Sequence, residues 1–353
     1  MKVVADSMVP FLEGVFEPYA EVIYKNGQDI THEDVVDADA LIVRTRTRCD
    51  ASLLEGSKVK VIASATIGLD HVDMDYCNAK GITVQNAQGC NAGGVVQYVF
   101  SALYGVASRK SIKLNDCVFG VIGVGNVGGR IAALAELLGY KVLKCDPPRA
   151  AREGGEGFCT LEYLLANSNI VTMHVPLDET TRNMADEDFF ALMQPGSIFI
   201  NAARGEVVDE AALKEAMPKF GAVVIDTWRN EPNVDEELID MVDIATPHIA
   251  GYSYQGKQNG TASAVRSIAR YFGIEALYEF YPENDVPEYE PVTLDLTDMK
   301  QGEIAALFQY NYPVFTDDFR FRMEPENFEK MRSAYQYRKE IRIVGLQINT
   351  NKL

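Results

Sequence analysis

Three polar side chains follow three successive apolar runs in the 353-residue chain. Arg204 follows Ser197–Asn201, Glu231 follows Ala222–Asp226, and His248 follows Val242–Ala245. Together they hold the parts needed to take a proton and a hydride from a secondary alcohol. An imidazole, with an ordinary pKa of about 6.5, can take the hydroxyl proton near neutral pH. A carboxylate beside it orients the ring and stabilises its protonated form. A guanidinium can hold a substrate carboxylate through paired hydrogen bonds and polarise the reacting oxygen.

The hydride needs an acceptor. Gly123-Val124-Gly125-Asn126-Val127-Gly128 follows the apolar run Cys117–Ile122 and opens a helix with Ile131, Leu134 and Leu138 on one face. A glycine-rich loop between strand and helix is the dinucleotide fingerprint. Gly123 permits the tight turn, Gly125 lets backbone approach a pyrophosphate, and Gly128 lets helix pack on strand. The helix start offers free N–H groups and a positive dipole end. The next run, Lys141–Cys145, ends at Asp146, 18 residues after Gly128. A carboxylate there accepts ribose hydroxyls and repels a 2′-phosphate, which favours NAD over NADP. Arg149, three residues on, is the counter-argument.

These residues need a scaffold that gathers strand ends. Six candidate strands, Cys117–Ile122, Lys141–Cys145, Asn169–Val175, Ser197–Asn201, Ala222–Asp226 and Val242–Ala245, predict a doubly wound parallel sheet. Ligands bind outside the carboxyl ends of such strands, so Arg204, Glu231 and His248 should meet at one edge. Before them, Lys2–Ala5, Glu21–Tyr24, Ala40–Arg44, Val59–Ala65 and Thr83–Val84 predict a second, flavodoxin-like parallel sheet. A helix carrying Val95, Val99, Ala102, Leu103 and Val106 joins the two series, and Gly260–Phe272 reads as a helix returning to the first. After Tyr281 comes a Pro- and acid-rich linker. Beyond it, strands Pro291–Leu296 and Ile341–Ile348 and helices Glu303–Gln309 and Asn327–Tyr337 predict a small α+β domain. The expected domains are 1–90 with 260–283 for substrate, 91–259 for NAD, and 286–353 at the C-terminus.

Composition narrows the partners. Asp plus Glu number 51 against 33 Lys plus Arg, a net charge of −18, which disfavours broad binding to nucleic acid or anionic membrane. No apolar run approaches a membrane span, and the N-terminal apolar stretch is too short for a secretory signal. Six cysteines without CxxC spacing read as reduced thiols of a cytoplasmic protein. No His spacing suggests a metal. Of the four histidines, His71 reads as structural at a helix start, His32 as exposed at a helix N-terminus, and His174 as part of a strand.

The blocks Asn201–Gly205, Asp226–Pro232 and Thr246–Gly251 resemble the signature blocks of the D-2-hydroxyacid dehydrogenases. The mid-chain nucleotide loop agrees with that family. ADALIVRTRT, SATIGLDHVD, QGCNAGGVVQYVFSAL, CDPPRA and HIAGYSYQGK are similar to a branch of it that acts on a phosphorylated acid. The resemblance implies NAD-dependent oxidation of 4-phospho-D-erythronate to 2-oxo-3-hydroxy-4-phosphobutanoate, within pyridoxal 5′-phosphate (vitamin B6) synthesis. It implies a homodimer held by the C-terminal domain. Residue by residue, it implies His248 as acid/base, Glu231 as its partner and Arg204 as carboxylate binder. Thr45, Thr66 and Tyr252 are the implied substrate contacts. Asp146, Val175, Ala202, Ala203, Arg204, Asp226 and Gly251 are the implied cofactor contacts. Thr45 stands where serine is expected, and it keeps the hydroxyl.

If Arg44–Arg48 is extended, Arg44, Arg46 and Arg48 share one face, a positive patch for phosphate. Arg44, ending a strand, reads as functional, whereas Arg46 and Arg48 read equally well as a solvated strand end. Two rival functions stand beside the first. One is another phosphorylated 2-hydroxyacid dehydrogenase, such as one for 3-phosphoglycerate. The other is an NAD(H)-sensing binding protein, which has no need of the base.

Overall fold

The computed structural model describes residues 1–283, 292–295, 299–340 and 343–347. They fall into two compact units. One is Met1–Asn91 with the chain from Ser253; the other is Ala92–Tyr252 with the C-terminal residues.

The first unit carries β1 (Lys2–Asp6), β2 (Glu21–Lys25), β3 (Ala40–Val43), β4 (Val61–Ser64) and β5 (Thr83–Asn86). They form one parallel sheet in the order β2-β1-β3-β4-β5. Successive residues of β3 and β4 feed two different cores: Ala40, Ile42, Val61 and Ala63 on one face, Leu41, Val43 and Ile62 on the other. Both faces are dry, so these strands read as unbroken apolar runs rather than alternating ones. Helix Tyr254–Phe272 buries Ala264, Val265, Ile268 and Ala269 against one face. It starts six residues before the expected Gly260. Ser253 caps it by accepting from the Gly256 N–H. Gly256 and Gly260 are needed for contact: a Cβ on Gly260 would overlap the Ala65 carbonyl oxygen.

The second unit carries β6 (Val118–Ile122), β7 (Lys141–Cys145), β8 (Ile170–Met173), β9 (Ile198–Asn201), β10 (Ala222–Ile225) and β11 (Ile244–Ala245). The order is β11-β10-β9-β8-β6-β7, all parallel. The chain leaves β6 for β7 on one side, then crosses to β8 on the other. The loops after β6 and β8 therefore border the switch-point crevice where doubly wound sheets hold ligands. Again two cores alternate, with Phe119, Val121, Ile198 and Ile200 against Ile122, Val171, Phe199 and Val223.

The C-terminal residues, expected to form a body of their own, share the core of this second unit. Ala305, Phe308, Tyr312 and Val314 are buried with helix Ala92–Lys110, and Phe321 and Phe328 pack with Trp228 and its neighbours. Helix Gln301–Asn311 includes the expected Glu303–Gln309, and helix Phe328–Ser333 covers part of the expected Asn327–Tyr337. Helix Val314–Met323 was not anticipated. Strands β12 (Val292–Asp295) and β13 (Ile343–Gln347) pair in parallel, inside the two expected strands. Most of the expected linker, 284–291, lies outside the described residues.

Candidate active site

The nucleotide loop has the shape its sequence requires. Gly123 adopts φ +79°, and a Cβ there would lie 2.7 Å from the His174 carbonyl oxygen. A Cβ on Gly128 would overlap the Gly123 carbonyl oxygen, so the opening turn of helix Gly128–Leu137 lies directly on the loop. Gly125 is different: no atom lies within 4 Å of where its Cβ would be. Gly125 and Asn126 are exposed, and Val127 is half-buried. Asp146 accepts from the Val124 N–H at 2.8 Å with one oxygen and from the Arg149 N–H at 2.9 Å with the other. Each oxygen keeps acceptor capacity. Arg149 donates to the Val124 carbonyl at 2.6 Å and pairs with Glu153 at 2.7 Å, so the cation that could favour a 2′-phosphate is tied back into its own loop. Val175 is half-buried just beyond β8. His174 beside it donates its N–H to the Ile122 carbonyl at 2.7 Å, and burial pushes its imidazole down to about 3.

The three strand-end side chains stand after adjacent strands β9, β10 and β11. His248 Nδ1 contacts the Glu231 carboxylate at 2.8 and 3.1 Å. Nε2 is the ring nitrogen left to exchange a proton. Burial pushes the Glu231 carboxyl up, but the His248 charge and hydrogen bond and the Trp228 N–H outweigh it and hold the group below its usual range. Arg204 reaches the same neighbourhood through Gly205, where a Cβ would overlap the Trp228 carbonyl. Asn201, fully buried, accepts from the Ala203 N–H and donates to the Arg204 carbonyl, which shapes the Ala202–Arg204 turn. Arg204 also donates to the Ala203 carbonyl at 2.8 Å.

Asp226, expected against the cofactor, is 1% exposed. Its carboxylate accepts from the Thr246 hydroxyl at 2.6 Å and from the Ile249 and Ala250 N–H groups, each at 2.9 Å. These bonds hold the turn in which His248 adopts φ +55°, a left-handed conformation that a non-glycine residue keeps only when its surroundings enforce it. Burial pushes the Asp226 carboxyl up, against these hydrogen bonds and the His248 charge. Tyr98 donates to Thr246, and the Trp228 indole donates to the Thr246 carbonyl at 2.8 Å. Asn201, Thr246, Trp228 and Tyr98 thus support the site, and sequence reasoning passed over them. Their only signal was membership of the three strand-end blocks and of the block QGCNAGGVVQYVFSAL. Gly251 and Tyr252 are half-buried at the end of the turn.

In the first unit, Arg44 and Thr45 follow β3 and Thr66 follows β4, at one sheet edge. The Ser64 and Thr66 hydroxyls lie 2.8 Å apart. The extended reading of Arg44–Arg48 is corrected: the strand ends at Val43 and the chain turns at Thr45–Arg46. Arg44 Nε instead pairs at 2.8 Å with Asp6, fully buried at the end of β1. Arg48 is exposed and pairs with Asp50 at 2.6 Å.

Residues 103–250 match the family described as D-isomer specific 2-hydroxyacid dehydrogenase, NAD binding domain. Over 347 residues the chain is 42% identical to erythronate-4-phosphate dehydrogenase of Bacteroides fragilis, covering 96% of this chain and 97% of that one. The Yersinia pestis enzyme of the same name is 39% identical, covering 96% and 93%. The chain belongs to the erythronate-4-phosphate dehydrogenase family. Its fold is also that of NAD-bound 3-phosphoglycerate dehydrogenase of Entamoeba histolytica, with TM-score 0.65 and 26% identity over 79% of this chain and 97% of that one. D-lactate dehydrogenase of Aquifex aeolicus, solved with NAD and lactic acid, gives TM-score 0.64 at 24% identity, over 80% and 98%. NAD is the family's cofactor, and the nucleotide loop fits it. The open space at Gly125, the helix start and the remaining acceptor capacity of Asp146 are what a pyrophosphate and an adenosine ribose require. Among the described residues no helix is long and apolar enough to cross a membrane.

Proposed function

We propose that this dehydrogenase oxidises 4-phospho-D-erythronate at C2 to 2-oxo-3-hydroxy-4-phosphobutanoate, within pyridoxal 5′-phosphate synthesis. The observation that carries the chemistry is the 2.8 Å contact between His248 and Glu231 at the strand edge that also bears Arg204. His248 Nε2 takes the C2 hydroxyl proton as the C–O bond gains double-bond character. Glu231 stabilises the imidazolium that results. Arg204 holds the substrate carboxylate and polarises the oxygen next to it. Bound NAD supplies the hydride acceptor. The nucleotide contacts are Gly123, Gly125, Asn126, Val127, Gly128, Asp146, Val175, Ala202, Ala203, Arg204 and Gly251. Asp226 acts from behind the His248 turn rather than at the ligand surface. Arg44, Thr45, Thr66 and Tyr252 are the proposed substrate contacts, with Arg44 and Thr45 for the phosphate.

We also propose that the enzyme is a cytoplasmic homodimer. Helices Gln301–Asn311 and Val314–Met323 expose Tyr310, Phe319 and Met323 by 64–89%, apolar side chains that a second copy would cover. The deciding experiment follows NADH absorbance with 2-oxo-3-hydroxy-4-phosphobutanoate or 3-phosphohydroxypyruvate. Preference for the four-carbon acid is expected. Preference for the three-carbon acid would move the enzyme to phosphoglycerate chemistry, and tight NADH binding without turnover of either would favour a sensor.

A further inference from the structure

The turn after His248 presents its carbonyl groups to a residue about ninety positions away. Arg338 Nη1 donates to the Ile249 carbonyl at 2.9 Å and the Tyr252 carbonyl at 3.3 Å. Its Nη2 donates to the Ala250 carbonyl and, at 3.0 Å, to the Gly94 carbonyl in the first turn of helix Ala92–Lys110. The Ile249, Ala250 and Tyr252 carbonyls belong to neither a sheet ladder nor a helix, and carbonyls in a packed turn need donors; the Ile249 carbonyl also accepts from the Tyr252 N–H at 2.9 Å. A planar guanidinium spreads five donors over two terminal nitrogens and Nε; an ammonium has three, all on one atom, and cannot span carbonyls this far apart in the turn.

The guanidinium is itself held in place. It stacks on the Tyr312 ring at 4.1 Å and donates to the Tyr335 hydroxyl at 3.3 Å. Asp317 accepts from both tyrosine hydroxyls, at 2.9 and 2.8 Å. The Tyr252 ring packs edge-on against Tyr335 and Tyr337, with Arg332 5.8 Å from its centroid. Asp226 grips the N–H groups of Ile249 and Ala250, and Arg338 grips their carbonyls. A turn that begins in a left-handed conformation at His248 is therefore held from both sides by charged groups.

We infer that Arg338 is a positioning residue for the reaction: by clamping the 249–252 carbonyls it sets where His248 and Tyr252 stand. This rests on the dehydrogenase reading of that turn. It gives the C-terminal residues, outside the 103–250 match, a task in catalysis apart from joining copies.

The test uses the full chain with Arg338→Ala and Arg338→Lys, reading three quantities. They are kcat and KM for reduction of 2-oxo-3-hydroxy-4-phosphobutanoate, NADH affinity by fluorescence, and amide hydrogen exchange across 246–254. Arg338→Ala is expected to lower kcat by about ten-fold to a hundred-fold, the scale of a small misplacement of a reacting group, with a lesser change in NADH affinity. Exchange across 246–254 should rise while β8 and β9 stay protected. Added guanidinium ion should restore part of kcat, and ammonium at equal ionic strength should not. Arg338→Lys keeps the charge and should show the same kcat loss and faster exchange, so it decides the matter if the alanine variant does not fold.

Wild-type kcat and exchange in the lysine variant would overturn the clamp. So would a fall of kcat, NADH affinity and melting temperature in step without guanidinium rescue, which would make Arg338 a general staple of the fold. The two readings can fail separately. If the wild type reduces no phosphorylated oxoacid but exchange at 246–254 rises in the variants, the substrate assignment falls and the clamp stands. If the wild type turns over and the variants leave that exchange unchanged, the clamp alone falls.

Discussion

At the scale of single residues, the His248–Glu231 pair makes a signed prediction. Oxidation needs the neutral imidazole and reduction needs the imidazolium. A carboxylate 2.8 Å from Nδ1 favours the imidazolium, and its own carboxyl is held below the usual range chiefly by the His248 charge acting against burial. Glu231→Gln removes the charge that stabilises the imidazolium formed as the hydroxyl proton is taken. The kcat for oxidation should fall by up to about a hundred-fold, no more than the worth of the acid/base itself, with NADH affinity kept. Steady-state kinetics and NADH fluorescence check this, and an unchanged kcat would count against the coupling. His248→Ala should cost about a hundred-fold to ten-thousand-fold in kcat, the usual worth of a positioned acid/base, with NADH binding kept. Turnover unchanged in that variant would assign the proton transfer to another group.

At the scale of elements, the close approach of the β9 and β10 loops makes Gly205 a test of how Arg204 is placed. An alanine Cβ there meets the Trp228 carbonyl and the Arg229 N–H, both backbone and unable to swing away. Gly205→Ala should destabilise by about 1–3 kcal/mol, as overpacking does, and raise KM for the acid more than for NADH. Urea unfolding and the two KM values measure it; equal stability and KM would mean the loops part without consequence. The same packing explains what the sequence disclosed. Central strands such as β3, β4, β8, β9 and β10 were legible because both their faces are dry, leaving apolar runs bounded by polar turns. The strand-end trio was legible because those turns carry Arg204, Glu231 and His248. Helix Val314–Met323 was not, because its buried face carries Asp317 and Asp318 beside Val314 and Phe321. Those carboxylates serve partners remote in sequence: Asp318 accepts the Ala245 N–H at 2.7 Å, at the edge of the sheet. The turn at Thr45–Arg46 was missed as well, and no local pattern reveals the partner Arg44 takes there, the buried Asp6, 38 residues away.

At the scale of the whole molecule, the question is what the C-terminal residues are part of. As an attached body they would unfold and exchange independently of the nucleotide site. Their packing says otherwise: Phe308 and Tyr312 belong to one core with Phe119 and Ile131, and Phe321 and Phe328 to another with Trp228 and Ile225. Residues that share a core open together. Saturation with NADH should therefore slow exchange in 301–323 as well as in 118–137. At about a hundred times Kd, a ligand that binds only the folded state adds about 2.7 kcal/mol, which sets the largest protection expected in either segment. Exchange at 301–323 unaffected by NADH, with clear slowing at 118–137, would separate the two and restore an independent C-terminal domain. Equal slowing would mean that a contact between copies made through these helices can be felt at the nucleotide loop through a continuous core.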